Sequence, residues 1–88
     1  MKMIIAIIRD NDSESVSQAL IKSGFRVTRV ASTGGFLRKG SSTLMIGLED
    51  EKVDEAIQVI RIHTNSSVEP GTKRATLFVL NIEHYSQI

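Results

Sequence analysis

A nearly continuous apolar run, Met3 to Ile8, constrains the fold of this chain more than any other feature. Because the run is rich in β-branched residues and lacks polar alternation, it predicts a strand buried on both faces and central in its sheet. It is far shorter than the roughly 20 apolar residues that span a bilayer. Arg9 and Asp10 follow it, without the small-residue cleavage site of a signal peptide. We therefore expect a cytoplasmic protein built around this strand, with no membrane insertion.

Composition narrows the functional classes. The 88 residues, of which 41% are hydrophobic and 24% charged, suit a single globular domain that covers residues 1–88. A formal net charge of +1 offers no basic footprint for a nucleic acid, so no nucleic-acid partner is expected. The chain has no cysteine, which excludes disulfides, thiolate metal sites and a cysteine nucleophile.

The pattern after the first strand alternates between helical and strand periodicity. Apolar residues recur at helical spacing up to Gly24, and Asn11, Asp12 and Ser13 offer oxygens for the N-cap. The alternating stretch "FRVTRVAS" predicts a second strand, and "STLMIGL" predicts a third, in which Gly47 marks the close approach of a neighbour or ligand. Both stretches flank a glycine-containing segment and therefore predict an antiparallel pair.

The second half of the chain is predicted to contain one further helix and one further strand. Asp50 to Thr64 predicts a helix with an acidic first turn, and "ATLFVLNI" predicts a fourth strand with apolar residues on both faces. The order βαββαβ is that of a ferredoxin-like α+β fold, in which an antiparallel four-stranded sheet carries both helices on one face. Since the other face would be left bare and apolar, we expect self-association to cover it.

The segment between the second and third strands, "ASTGGFLRKGSST", has the Gly-x-x-x-x-Gly spacing of a phosphate loop from Gly35 to Gly40. A nucleoside triphosphatase would need lysine where Ser41 stands, and a helix rather than a strand after it. Glycine backbone donors, a stacking face on Phe36 and the cation Arg26 could together bind a phosphorylated ligand with an aromatic base. On composition alone, a mobile hairpin explains the segment equally well.

Other candidate sites fail on spacing. Asp10, Asp12 and Glu14 begin like a calcium loop but lack its sixth-position glycine and twelfth-position glutamate, so helix capping explains them better. His63 and His84 are isolated, and no metal site is expected. No hydrolase motif is present, and the first and third strands lack the aromatic residues of RNA-recognition modules.

The strings "MKMIIAIIRDND", "TGGFLRKG" and "ATLFVLNIEHYSQI" resemble the PII-like signalling proteins of Gram-positive bacteria that are receptors for cyclic di-AMP. The resemblance covers nearly the whole chain. It implies a non-enzymatic homotrimer of ferredoxin-like subunits that binds a cyclic dinucleotide in each cleft between neighbours, needs no other cofactor, and signals to an unidentified downstream protein. The family commonly has asparagine where this chain has Gly24 and Ser41.

The resemblance also implies the residues that contact the ligand. Two strand residues would lie near the phosphates and base, a loop would cradle an adenine, and a C-terminal glutamine would reach the nucleotide from the adjacent subunit. The implied ligand-binding residues are Arg26, Thr28, Gly35, Phe36, Leu37, Ser41, Gly47, Phe78 and Gln87.

Two alternatives stay open at this point. One is a related regulator that senses a different nucleotide, a metabolite or a metal. The other is a small ferredoxin-like enzyme such as an acylphosphatase, which would need a glycine-rich anion cradle after the first strand, where this chain has Arg9, Asp10, Asn11 and Asp12.

Overall fold

The computed structural model describes residues 1–30, 40–64, 75–84, 86 and 88. The predicted order of strands and helices is confirmed, and a short 3-10 turn, Asp50–Lys52, precedes the second helix. The elements are β1 (Lys2–Arg9), α1 (Asp10–Lys22), β2 (Arg26–Val30), β3 (Ser41–Leu48), α2 (Val53–His63) and β4 (Ala75–Asn81). Within the described residues, neither helix has the length and apolar character needed to cross a membrane.

The four strands form one antiparallel sheet in the order β2-β3-β1-β4, which confirms the ferredoxin-like fold and the central position of β1. The core lies between one face of this sheet and the two helices. Its fully or almost fully buried side chains come from alternate positions of β1 and β3 and from one stripe of each helix. They are Ile4, Ala6, Ile8, Val16, Leu20, Leu44, Ile46, Leu48, Ala56 and Ile60.

The prediction that β1 is buried on both faces is wrong for the single chain. Only the residues facing the helices are buried, whereas Met3, Ile5 and Ile7 are half-buried. The reason is that both helices cover the same side of the sheet, so nothing within the described chain covers the other side. We call that other side the open face.

The predicted N-cap of α1 is also wrong. The helix begins at Asp10, and Arg9 occupies the cap position without a side-chain hydrogen bond. Asp12 instead forms an ion pair with Arg9, with 3.0 Å between Oδ2 and a guanidinium nitrogen, and Ser13 is fully buried. The Ser42 hydroxyl donates to Asp10 Oδ1 at 2.5 Å. The polar residues of this stretch therefore join the start of α1 to β1 and β3 rather than cap the helix.

The predicted stop at Gly24 is confirmed. Its φ of +92° lies in the left-handed region that favours glycine. The Gly24 N–H donates to the Ile21 carbonyl at 3.0 Å, and the Phe25 N–H donates to the Leu20 carbonyl at 3.0 Å. These two hydrogen bonds are those of a Schellman motif, and they aim the chain directly into β2.

Candidate functional site

The strand register arranges the open face in rows that run across the sheet. Residues directly opposite each other in antiparallel strands project to the same side, so each row can be read from the pairing. The first row is Arg26, Gly47, Met3 and Leu80, and the second row is Thr28, Met45, Ile5 and Phe78, in the order β2, β3, β1, β4.

The β2 end of these two rows borders a cavity of about 350 Å³. It brings together three of the residues that the sequence predicts to bind a ligand: Arg26, Thr28 and Gly47. We call it the β2–β3 cavity, and its lining residues are Met1, Met3, Arg26, Thr28, Met45, Gly47 and Ile82. Its volume lies in the lower part of the range of about 300–1,000 Å³ that is usual for small-molecule sites.

Gly47 widens this cavity because it has no side chain. A Cβ atom added there would lie 3.4 Å from Met1 Cε, which is the flexible end of a side chain. The sequence predicts a close approach at Gly47, and within the described chain the neighbour is Met1. Because Gly47 lies in regular strand conformation, its backbone does not itself require glycine. The space above it is what the glycine provides.

Met1 is held against the cavity by two backbone contacts. Its ammonium group lies 3.1 Å from Asp50 Oδ1, and its carbonyl accepts a hydrogen bond from the Ile82 N–H at 3.0 Å. The hydrogen bond from the ammonium group lowers the pKa of Asp50 below its ordinary value. The start of the chain and the residue that follows β4 are thereby joined beside the first row.

Arg26 gives the cavity its charge. Among the described lining residues, Arg26 is the only one with a charged side chain, and the remainder are apolar apart from the Thr28 hydroxyl. Arg26 also borders a second hollow of about 280 Å³ at the end of the sheet, where Gly24, Glu49 and Lys52 are among the lining residues. A guanidinium group beside an apolar wall suits an anionic ligand that also carries a flat apolar group.

The other described site candidates lie elsewhere on the open face. Ser41 is at the opposite end of β3, six residues from Gly47, which corresponds to roughly 20 Å along a strand. Phe78 is three strands away from Thr28 in the second row, a separation of roughly 14 Å at the usual strand spacing. Its side chain is 51% exposed. Neither residue lines the β2–β3 cavity of the same chain.

The remaining four candidates, Gly35, Phe36, Leu37 and Gln87, lie outside the described residues. The described residues include the hydrogen bonds that fix the start of β3. The Asp10 N–H donates to the Gly40 carbonyl at 2.7 Å, and the Ser42 hydroxyl donates to the Asp10 carboxylate. Gly40 has a φ of +86°, which again favours glycine. The start of β3, including Ser41, is thus fastened to the junction of β1 and α1.

The sequence does not predict the other four lining residues of the cavity, which are Met1, Met3, Met45 and Ile82. Met3 and Met45 belong to apolar strand stretches, and alternation alone assigns each of them to one of two faces without saying which face meets a ligand. The two strand methionines are identified by the strand register, because Met3 pairs with Gly47 and Met45 pairs with Thr28.

Metal ligands do not cluster in the described part of the chain: no three His, Asp or Glu side chains come together there. His63 Nδ1 lies 2.9 Å from the Val59 carbonyl oxygen of its own helix, as a histidine near the end of α2 can.

Comparison with known proteins adds two findings. The family model described as cyclic-di-AMP receptor matches residues 1–69. A crystal structure described as that of a functionally unknown protein from Pediococcus pentosaceus ATCC 25745 is similar over 99% of this chain and 96% of that chain, with 32% sequence identity and a TM-score of 0.78. The family match includes all the described residues of the β2–β3 cavity except Ile82.

Proposed function

Because the chain belongs to the cyclic-di-AMP receptor family, we propose that it is a non-enzymatic, cytoplasmic PII-like sensor that binds cyclic di-AMP and passes the signal to a protein partner. The observation that carries the proposal is the convergence of Arg26, Thr28 and Gly47 on one cavity. A sensor needs a site that recognises its ligand without reacting with it, and this cavity supplies a cation, a hydroxyl and apolar walls.

Each part of the cavity matches a part of the ligand. Cyclic di-AMP carries two phosphodiester anions and two adenines. Arg26 would pair with a phosphate through charge-assisted hydrogen bonds, and Thr28 can donate or accept a hydrogen bond beside it. Because Gly47 has no side chain, an adenine could lie against the backbone of β3 once the flexible end of Met1, which lies next to this position, moves aside. The absence of a carboxylate among the described lining residues avoids repulsion of the anion.

We propose that the binding unit is a homotrimer in which neighbouring subunits share each site. The open face supports this assembly because it exposes a set of apolar side chains that a monomer would leave in water. Phe78 and Leu80 are 51% and 46% exposed, and Met3, Ile5 and Met45 beside them are half-buried. The roughly 14 Å between Thr28 and Phe78 in one chain suggests that the Phe78 that meets the ligand belongs to a neighbouring copy.

Calorimetry with cyclic di-AMP, cyclic di-GMP and ATP tests the ligand. Binding of cyclic di-AMP is expected, with weaker or no binding of the other two, and no binding at tens of micromolar would overturn the proposal. Arg26→Ala should weaken binding by roughly ten- to a hundredfold, which corresponds to the loss of a charge-assisted hydrogen bond. Arg61→Ala, an exposed arginine on α2, is the matched control and should bind normally. Tight binding of a different nucleotide in this panel would instead favour a related regulator with another ligand.

Mixed oligomers test the shared site. Homotrimers of Arg26→Ala or of Phe78→Ala should each bind weakly. When the two variants are co-expressed, every mixed trimer contains one interface with an intact Arg26 from one chain and an intact Phe78 from its neighbour. Partial recovery of binding is therefore expected in the mixture. No recovery would place both residues of each site in the same chain, and a monomeric mass in light scattering would remove the intersubunit site altogether.

A further inference from the structure

The methionines of this chain are concentrated in one place. The sequence contains three, and all three line the β2–β3 cavity: Met1 before β1, Met3 on β1 and Met45 on β3. The buried core, by contrast, consists of isoleucine, leucine, valine and alanine. Methionine is therefore absent from the buried core, and each of the three methionines lines the cavity.

The two strand methionines adjoin the groups proposed to meet the ligand. Met3 is the direct neighbour of Gly47 in the first row, and Met45 is the direct neighbour of Thr28 in the second. In the single chain both are half-buried and Met1 is 42% exposed. In the proposed trimer they would border the shared ligand cleft, so a small oxidant would reach them while that cleft is empty. A flat adenine that covers Gly47 would contact these side chains, since thioethers pack favourably against aromatic rings.

Hydrogen peroxide oxidises the thioether of methionine directly. A thioether sulfur attacks a peroxide oxygen, the O–O bond breaks, one oxygen stays on sulfur as a sulfoxide, and the other leaves as water. Sulfur is oxidised by two electrons and the peroxide is reduced. The product is polar and chiral, and enzymes that reduce methionine sulfoxide reverse it. An apolar wall of the cavity would thereby become polar.

We propose that Met3 and Met45 form an oxidation site that controls ligand binding, so that the cavity accepts cyclic di-AMP only while both thioethers are reduced. The inference rests on the proposed function. It also requires that oxidation spare the fold, which follows from the location of the methionines outside the buried core. Since the chain has no cysteine, peroxide has no thiol to attack, and methionine oxidation can be followed without that competing reaction.

The test compares untreated protein with protein oxidised by hydrogen peroxide to one added oxygen per methionine, as checked by intact mass. Affinity for cyclic di-AMP should fall roughly 5- to 100-fold, because an adenine would then cover polar sulfoxides without hydrogen-bond partners. The melting temperature should be nearly unchanged, and methionine sulfoxide reductases should restore binding. Saturating ligand present during the treatment should slow the oxidation of Met3 and Met45, as measured by peptide mass spectrometry.

Variants make the assignment specific. The double variant Met3→Leu/Met45→Leu keeps apolar side chains of similar size but has no thioether at either position, so its Kd for cyclic di-AMP should be the same before and after peroxide treatment, whatever its value before treatment. Met3→Gln/Met45→Gln should bind weakly without any oxidant. Equal binding by untreated and oxidised wild-type protein would overturn this inference and leave the proposed function standing. If untreated protein does not bind cyclic di-AMP at all, the proposed function fails and this inference fails with it.

Discussion

The substitution Gly47→Ala should change ligand binding without disrupting the fold. Gly47 lies in β3 between Arg26 of β2 and Met3 of β1, in a conformation that any residue can adopt. The added methyl group would project into the β2–β3 cavity, where its nearest neighbour is Met1 Cε at 3.4 Å. That distance is an ordinary van der Waals contact with the end of a flexible side chain. The unliganded protein should accommodate the change without strain.

Stability and affinity should then move in opposite directions. Replacing glycine by alanine at a compatible position stabilises a protein by about 0.4–1 kcal/mol through the unfolded state. For a domain of this size, that gain corresponds to a rise in melting temperature of about 2–8 °C. If a ligand packs against the backbone at Gly47, the extra methyl group overpacks the complex at a cost of about 1–3 kcal/mol. The Kd should therefore rise roughly 5- to 150-fold.

Thermal denaturation by circular dichroism measures the first effect, and calorimetry with cyclic di-AMP measures the second. Ala19→Gly, at a half-buried position of α1 that does not line the cavity, is a useful opposite control: it should lower the melting temperature and leave the Kd unchanged. An unchanged Kd for Gly47→Ala in a folded protein would refute the idea that the ligand approaches Gly47. A large fall in melting temperature would refute the inference that the cavity has space for a methyl group at Gly47.

Three further predictions concern the stability of the fold. Pairing with the Met1 ammonium group lowers the pKa of Asp50, so this ion pair stabilises the folded state fully at pH values above 3.8, the ordinary pKa of the carboxyl group. The stabilisation is lost as the pH falls below that value. Asp50→Asn should remove this part of the acid dependence of the melting temperature. Gly24→Ala should destabilise the protein by about 1–2 kcal/mol because of the left-handed backbone, and Gly24→Asn should cost less. Ser42→Ala should lower the free energy of unfolding by about 0.5–1.5 kcal/mol through the lost hydrogen bond to Asp10, seen as a lower urea midpoint with an unchanged slope.

The sequence predicts the fold well because local patterns determine it. Alternation in β3 assigns Leu44 and Ile46 to one face and Met45 and Gly47 to the other, and the structure buries the first pair. Gly24 predicts the end of α1 because only a few residues adopt its backbone conformation readily. Local pattern fails at the start of α1, since the partner of Asp10 is Ser42, which is 32 residues away in the sequence.

The candidate site is less predictable for the same reason. The sequence identifies Arg26 as a candidate cation and Gly47 as a point of close approach, and the family resemblance adds Thr28. It does not place Met3 beside Gly47, because that neighbour is fixed by strand order and register rather than by spacing along the chain. Nor does it separate Thr28 from Phe78, which belong to the same row but lie three strands apart.

Because the core and the candidate site lie on opposite faces of the sheet, substitutions in the site should have little effect on the packing of the core. Each strand contributes alternate residues to the core and to the open face, so a substitution on the open face leaves the helix-facing packing intact. Ile46 and Gly47 are neighbours in the sequence, yet Ile46 is fully buried in the core whereas Gly47 borders the β2–β3 cavity. A variant of Arg26, Met45 or Gly47 should therefore alter binding at little cost in folding. The same separation would leave the core folded if peroxide modified the cavity, which is the condition that the proposed oxidation site requires.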